Sequence, residues 1–275
     1  MSHPFRFGVV AAPRGTAEEW LATARRTADR GYSTLLSPDG ASLHSPFVAL
    51  AVAAAAVPDL RVGSFVLAAP LRAPRLAAWE GHSLSVLSGG RFDFGIGTGR
   101  PDARAEAEAL GRPWGTGADR LAAVRDSIAA LRALDGERWH TPVMVAAGGP
   151  RALELAAAEA DVVALAAPPT SPREAVVALV ADLRSRAGDR AGAIELALNL
   201  FVVGDEVQPW MRRIPGVEPA ELHRRDSPGA VRGTPREMAD QLLRRRDELG
   251  VSYYAVGEEL VDALAPVVDL LAGRG

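Results

Sequence analysis

The chain has 275 residues, 48% hydrophobic and 24% charged, with a formal net charge of -3; it is long enough to bury a full core without a disulfide or metal staple. It contains no Cys, and every one of its 31 basic residues is Arg, which excludes thiol catalysis, iron–sulfur and cysteine zinc sites, Schiff-base lysine chemistry and the phosphate-loop lysine. The slightly acidic balance provides no field for nucleic acid and no polybasic membrane patch, and the apolar runs at 5–12 and 47–57 are too short to span a bilayer, so a cytoplasmic protein is expected.

Residues 5–12 (FRFGVVAA) read as a buried strand ended by Pro13-Arg14-Gly15. Thr16 caps a helix with Glu18 and Glu19 in its first turn, Trp20, Leu21, Ala24 and Ala28 at helical spacing, and Gly31 as its terminator. Residues 32–37 form the next strand, and Pro38-Asp39-Gly40 its exit loop. The pattern repeats as helix 46–57, strand 60–68, helix 74–87, strand 91–97, a helix within 115–134, strand 142–147 and helix 150–160. Strand 161–166, helix 172–187, strand 193–203, helix 234–250, strand 252–256 and helix 258–272 complete it. Residues 204–233, rich in Pro, Arg and Glu, are expected to be irregular. Doubly apolar strands alternating with amphipathic helices mean a parallel sheet covered by helices, and eight such units predict a (β/α)8 TIM barrel, a single domain over 1–275.

In such a barrel the chemistry sits at the C-terminal ends of the strands. Gly148-Gly149-Pro150-Arg151 follows a strand and opens a helix. It is either a plain tight turn or a phosphate cradle in which free N–H groups, the helix dipole and the Arg151 guanidinium hold an anion. Gly95-Ile96-Gly97-Thr98-Gly99-Arg100 departs from the dinucleotide fingerprint, because the third Gly comes one position early. Its glycines either let a flat ring lie against the backbone or form a bulge. Asp39 either takes part in proton transfer and cofactor bonding or forms an Asx-turn. His44 and His82 have no partner at metal-ligand spacing, so no metal site is expected. Trp20, Trp79, Trp114 and Trp139 read as packing residues, and no Gly-x-Ser-x-Gly elbow is present.

Other stretches carry a resemblance. Phe5-Arg6-Phe7-Gly8-Val9 with Trp20, Ala24-Arg25-Arg26, Gly31-Tyr32 and Leu35 opens the chain. Leu87-Ser88-Gly89-Gly90-Arg91-Phe92 precedes the glycine-rich strand, Ala160-Asp161 follows the Gly148–Gly149 helix, and Ser227-Pro228, Gly233-Thr234-Pro235 and Leu249-Gly250-Val251 mark the end. Together they resemble the luciferase-like oxidoreductases, barrels that use reduced flavin or the deazaflavin coenzyme F420, and most closely the actinobacterial F420-dependent branch. The resemblance covers nearly the whole chain. It implies a cofactor across the barrel mouth, its phosphate at Gly148, Gly149, Pro150 and Arg151, and its ring supported by Phe65, Val66, Ala68, Gly97, Thr98 and Gly99. A non-proline cis peptide is implied at Phe65-Val66. Asp39 and Arg100, at strand ends, are the candidate catalytic residues.

The sequence departs from the pattern at three places. Gly40 stands where many relatives have His, Arg100 stands where sugar-phosphate dehydrogenases have an acid, and the segment before the fifth strand shrinks to about 135–141. The imidazole–carboxylate pair for alcohol oxidation is therefore missing. A reductase that passes hydride between F420 and a small organic substrate fits best. An FMN-dependent monooxygenase, or a non-catalytic cofactor-binding barrel, is the alternative. Family members often dimerise near the second and third units, and the alanine-rich helix 46–57 is the candidate face for a homodimer.

Overall fold

The computed structural model describes residues 3–214 and 217–274; residues 1–2 and 275, at the ends of the expected domain, and 215–216, in the expected irregular segment, lie outside them. In chain order the elements are β1 (Arg6–Val10), α1 (Ala17–Asp29), β2 (Thr34–Ser37), α2 (Pro46–Ala56), β3 (Arg61–Ser64), β4 (Leu67–Ala68), α3 (Pro74–Leu87) and β5 (Phe92–Gly97). There follow α4 (Ala103–Ala109), α5 (Gly117–Asp135), β6 (Val143–Ala147), α6 (Pro150–Glu159), β7 (Val162–Leu165), α7 (Arg173–Ala187) and β8 (Glu195–Leu200). The last are β9 (Val202–Val203), β10 (Glu206–Val207), α8 (Pro219–Arg224), β11 (Ala230–Val231), α9 (Pro235–Leu249), β12 (Val251–Gly257) and α10 (Val261–Leu271).

The sheet closes on itself. Parallel pairing runs β3-β2-β1-β12-β8-β7-β6-β5, and β3 pairs again with β5. Counting β3 and β4 as one interrupted strand gives the eight-stranded (β/α)8 barrel the sequence predicts.

Side chains alternate across each strand, and the two faces do different work. Outward residues such as Leu35, Phe94, Leu198 and Val256 join the helices in one large apolar core. Inward residues fill the barrel in layers. At the bottom, Arg6 bonds Asp93 at 2.7 Å and Glu195 at 2.8 Å, and Arg61 pairs with the other oxygen of Asp93. The Arg6 guanidinium lies 4.3 Å from the Tyr253 ring centroid. Above it, Leu36, Met144, Val162, Ala197 and Tyr253 form an apolar plug. At the mouth, Val10, Phe65, Val66 and Ala146 stay partly open above that plug. The barrel is thus sealed below and accessible only from the C-terminal ends of its strands.

Three expectations are corrected and one element is added. The strand expected over 60–68 is broken: the Phe65-Val66 peptide is cis, as the resemblance implies, and the strand resumes only at Leu67. Across the gap the Ser64 hydroxyl donates to Gly95 O at 2.8 Å and accepts from Gly95 N at 2.9 Å, standing in for ladder bonds. A Cβ at Gly95 would lie 1.8 Å from Ser64 O, so only glycine permits this approach. Residues 104–114, to which the sequence reading assigns no element, lie mostly in or beside α4; its alternating Ala and Glu are good helix formers, but the run is short. The strand expected over 193–203 ends at Leu200, and Val202–Val203 pairs instead with β10 and β11. Residues 204–233 are not structureless either: Phe201, Met211, Val217 and Leu222 bury a small core of their own. The two strand limits were hidden because a short apolar run looks alike in either setting.

Candidate cofactor and substrate site

The second exit loop and the interrupted third strand are locked together. Asp39 has a side chain only 2% exposed. Its Oδ2 accepts from Ala68 N at 2.9 Å and from Arg72 Nη1 at 2.6 Å, and its Oδ1 accepts from Arg72 Nη2 at 2.9 Å. This bidentate pair occupies both oxygens and replaces the Asx-turn reading. Asp39 thereby fixes the start of the segment after the cis peptide. Phe65 and Val66 face the mouth half-buried, and Ala68 is buried.

The glycine-rich strand end is shaped by close approach. A Cβ at Gly97 would lie 3.1 Å from Val66 Cγ2 and 3.3 Å from Ala146 Cβ. Gly99, at φ +79°, lies against the Trp114 ring. Arg120 from α5 stacks 4.4 Å over that ring and donates to Thr98 O and Gly115 O, both at 3.1 Å. The turn is therefore held from behind by side chains rather than by ladder bonds. Arg100 points to solvent, 83% exposed, with Asp102 at 3.3 Å.

The two glycines of the next turn differ. A Cβ at Gly148 would sit 2.8 Å from Ala166 O, whereas at Gly149 it would meet nothing within 4 Å. Gly149 is the N-cap of α6, no side chain caps that helix, and Pro150 follows in its first turn. The free N–H groups of that turn and the dipole favour an anion. Gly149, Pro150 and Arg151 line a groove of about 630 Å³, whose other wall is Thr98 and the start of α5. A phosphate fits this setting, because the open space at Gly149 is what its oxygens would fill.

Three residues escaped the sequence reading. Glu106 on α4 accepts from Ala41 N at 2.9 Å, and its Oε2 would lie 3.2 Å from a Cβ at Gly40. The carboxylate thus fills space that a side chain at position 40 would need. Glu258 follows the last strand; burial, then the charge of Glu259, pushes its carboxyl up, while Arg26 and Arg14 act against this. The rule that sites follow strand ends would have found it. Asn199 lies on the inward face of β8, next to Ala255; strand alternation was its only signal. One expectation changes at the periphery: Trp79 is 61% exposed on α3 rather than packed. His82 bonds Asp135 at 2.7 Å.

A family profile described as luciferase-like monooxygenase matches residues 1–209. The chain belongs to the luciferase-like monooxygenase family. Solved structures share its fold along their whole length. The coenzyme F420-dependent tetrahydromethanopterin reductase of Methanopyrus kandleri has 17% identity and a TM-score of 0.71, covering 98% of this chain and 99% of its own. The monooxygenase RslO1 of Streptomyces bottropensis has 21% identity and a TM-score of 0.71, covering 96% and 97%. An F420-dependent secondary alcohol dehydrogenase, solved with an F420–acetone adduct, has 15% identity and a TM-score of 0.71, covering 96% and 99%. Two F420-dependent enzymes and a monooxygenase are thus close in shape to this barrel. Among the described residues no helix is long and apolar enough to cross a membrane, and no group of three His, Asp or Glu could hold a metal.

Proposed function

We propose that the protein is an oxidoreductase that passes hydride between reduced coenzyme F420 and a small organic substrate, as a reductase of the actinobacterial F420-dependent kind. The observation that carries this reading is the uncapped start of α6 at Gly149, open to a groove of about 630 Å³. When bound, the deazaflavin supplies the hydride. The chain binds and orients it. Gly148, Gly149, Pro150 and Arg151 take the phosphate, while Phe65, Val66, Ala68, Gly97, Thr98 and Gly99 support the ring. Asp39 is assigned as a positioning residue, since its oxygens hold Arg72 and Ala68 N. Arg100, exposed at the rim, is assigned to the anionic tail.

An FMN-dependent monooxygenase is the second reading, and one observation favours it. Arg72, which a longer anionic tail could use, is taken by Asp39, so fewer free cations surround the mouth. Fluorescence titration of F420 and FMN at low and high salt separates the two. Tighter F420 binding that weakens with salt is expected, because exposed ion pairs are screened over about 8 Å at physiological ionic strength. Tighter, salt-insensitive FMN binding would leave the flavin reading, and binding of either without turnover would leave a non-catalytic barrel.

The proposed assembly is a homodimer. Val48 and Val52 on α2 and Trp79 and Leu87 on α3 are exposed apolar residues on adjoining helices.

A further inference from the structure

Asn199 is a polar residue among apolar neighbours in the barrel mouth. Its strand, β8, alternates cleanly: Leu198 and Leu200 face the helices in the outer core, while Glu195 and Ala197 face the lumen. Asn199 follows on the lumen side, one layer above Ala197, paired in register with Ala255. Its apolar surroundings include Val10, Phe65, Val66, Ala146 and Ala255, and the Gln208 amide and the Glu259 carboxylate stand beside Gly257, the next inward position of the neighbouring strand. The residue is partly exposed. Among the described residues its carboxamide makes no hydrogen bond to side chain or backbone. Other charged groups of the lumen lie at the opposite end, where Arg6, Arg61, Asp93 and Glu195 satisfy one another beneath Tyr253.

An amide placed in an apolar mouth with no protein partner keeps both its donor and its acceptor for whatever displaces water there. We propose that Asn199 is a specificity-determining residue that hydrogen-bonds the neutral polar edge of a ligand, a carbonyl or lactam group on an otherwise apolar, flat body. The surroundings set the class. An anionic ligand group would meet apolar side chains beside Asn199 and the Glu259 carboxylate beside Gly257, so its desolvation would go uncompensated there. A neutral carbonyl matches the amide donor, and its apolar flanks match Val10, Val66 and Ala146. That chemistry is present both in a flavin-type ring and in a neutral substrate. The inference rests on the oxidoreductase reading only for the cofactor half of this choice.

Asn199→Leu keeps the branched shape and removes both polar groups. Its melting temperature should equal or exceed that of the parent, because the change is polar to apolar in an apolar layer. Affinity for F420 and FMN is measured by fluorescence titration, and affinity for cyclohexanone and cyclohexanecarboxylate by saturation-transfer NMR. If Asn199 bonds the ring, the variant loses about tenfold in cofactor affinity. If it bonds substrate, cofactor affinity holds and cyclohexanone binding falls by about tenfold. In both cases cyclohexanone should bind the parent better than the carboxylate does. Unchanged affinity for both classes, or preference for the carboxylate, overturns the inference. Asn199→Asp gives a second check, since an added charge should weaken carbonyl binding without loss of fold. Failure of F420 and FMN to bind the parent would sink the proposed function instead, and the cyclohexanone arm would still judge Asn199.

Discussion

Adjacent glycines in the phosphate turn answer to different neighbours. Gly148 faces the backbone of the seventh strand's exit, so Gly148→Ala should destabilise the fold; Gly149 faces open groove, so Gly149→Val should fold normally. Thermal melts and F420 titrations of the two variants should therefore separate: a lower melting temperature for the first, and a loss of affinity at an unchanged one for the second. Equal affinity in Gly149→Val would show that the turn is only a turn. Asp39 gives a test of the opposite kind. Its pair with Arg72 is largely buried, at 2% and 16% side-chain exposure. Removing one partner of such a pair costs about 3 kcal/mol. Asp39→Asn should lower unfolding stability by that order in urea denaturation, with cofactor affinity falling as a consequence. Full stability with lost turnover would return Asp39 to a proton-transfer role. The residues of the glycine turns were legible in the sequence because glycine at a strand end has few explanations. The partner of Asp39 was not legible, since Arg72 lies thirty-three positions away and reaches it only through the barrel.

Helix starts were the most readable elements. Thr16, Thr116 and Thr234 each form a reciprocal capping box, with Glu19, Asp119 and Glu237 respectively. Replacing any of these Thr by Ala should cost about 1 kcal/mol, read as a lower urea midpoint. Their acids also set an acid limit. Hydrogen bonds from Thr16 and Thr234 hold the carboxyls of Glu19 and Glu237 below their ordinary 4.5, and Thr116 holds Asp119 below 3.8. The unfolded chain binds these protons more readily than the folded one, so this stability is complete above the ordinary values and lost as pH falls through the lowered ones. Melting curves from pH 6 to pH 3 should show Glu19→Gln losing its deficit relative to the parent at the acid end. A constant deficit would mean the boxes do not titrate. Glu195 carries the reverse sign: burial pushes its carboxyl up although Arg6 opposes the shift. The interrupted third strand, by contrast, could not be read locally, because Phe65 and Val66 belong to a run of good strand formers.

Across the whole molecule, surface charge and apolar area decide what the barrel meets. Leu87 is 86% exposed and Trp79 61% exposed on the same helix, next to Val48 at 64%. A second copy covering that face would bury them. Trp79→Glu with Leu87→Glu should convert a dimer to a monomer in light scattering while leaving cofactor affinity intact; a monomeric parent would remove the proposal. The sequence by itself determined the closed parallel barrel, because doubly apolar strands alternating with amphipathic helices have few other ways to bury both faces. It also determined where a site had to be, at the strand ends, and which turn could receive a phosphate. Tertiary structure alone decided that Asp39 is held by Arg72, that Glu106 fills the space beside Gly40, and that Asn199 stands unpaired in an apolar mouth. Those outcomes depend on which side chains from distant units arrive at the same height of the barrel. Strand stagger and side-chain reach set that height, and neither is encoded in local spacing.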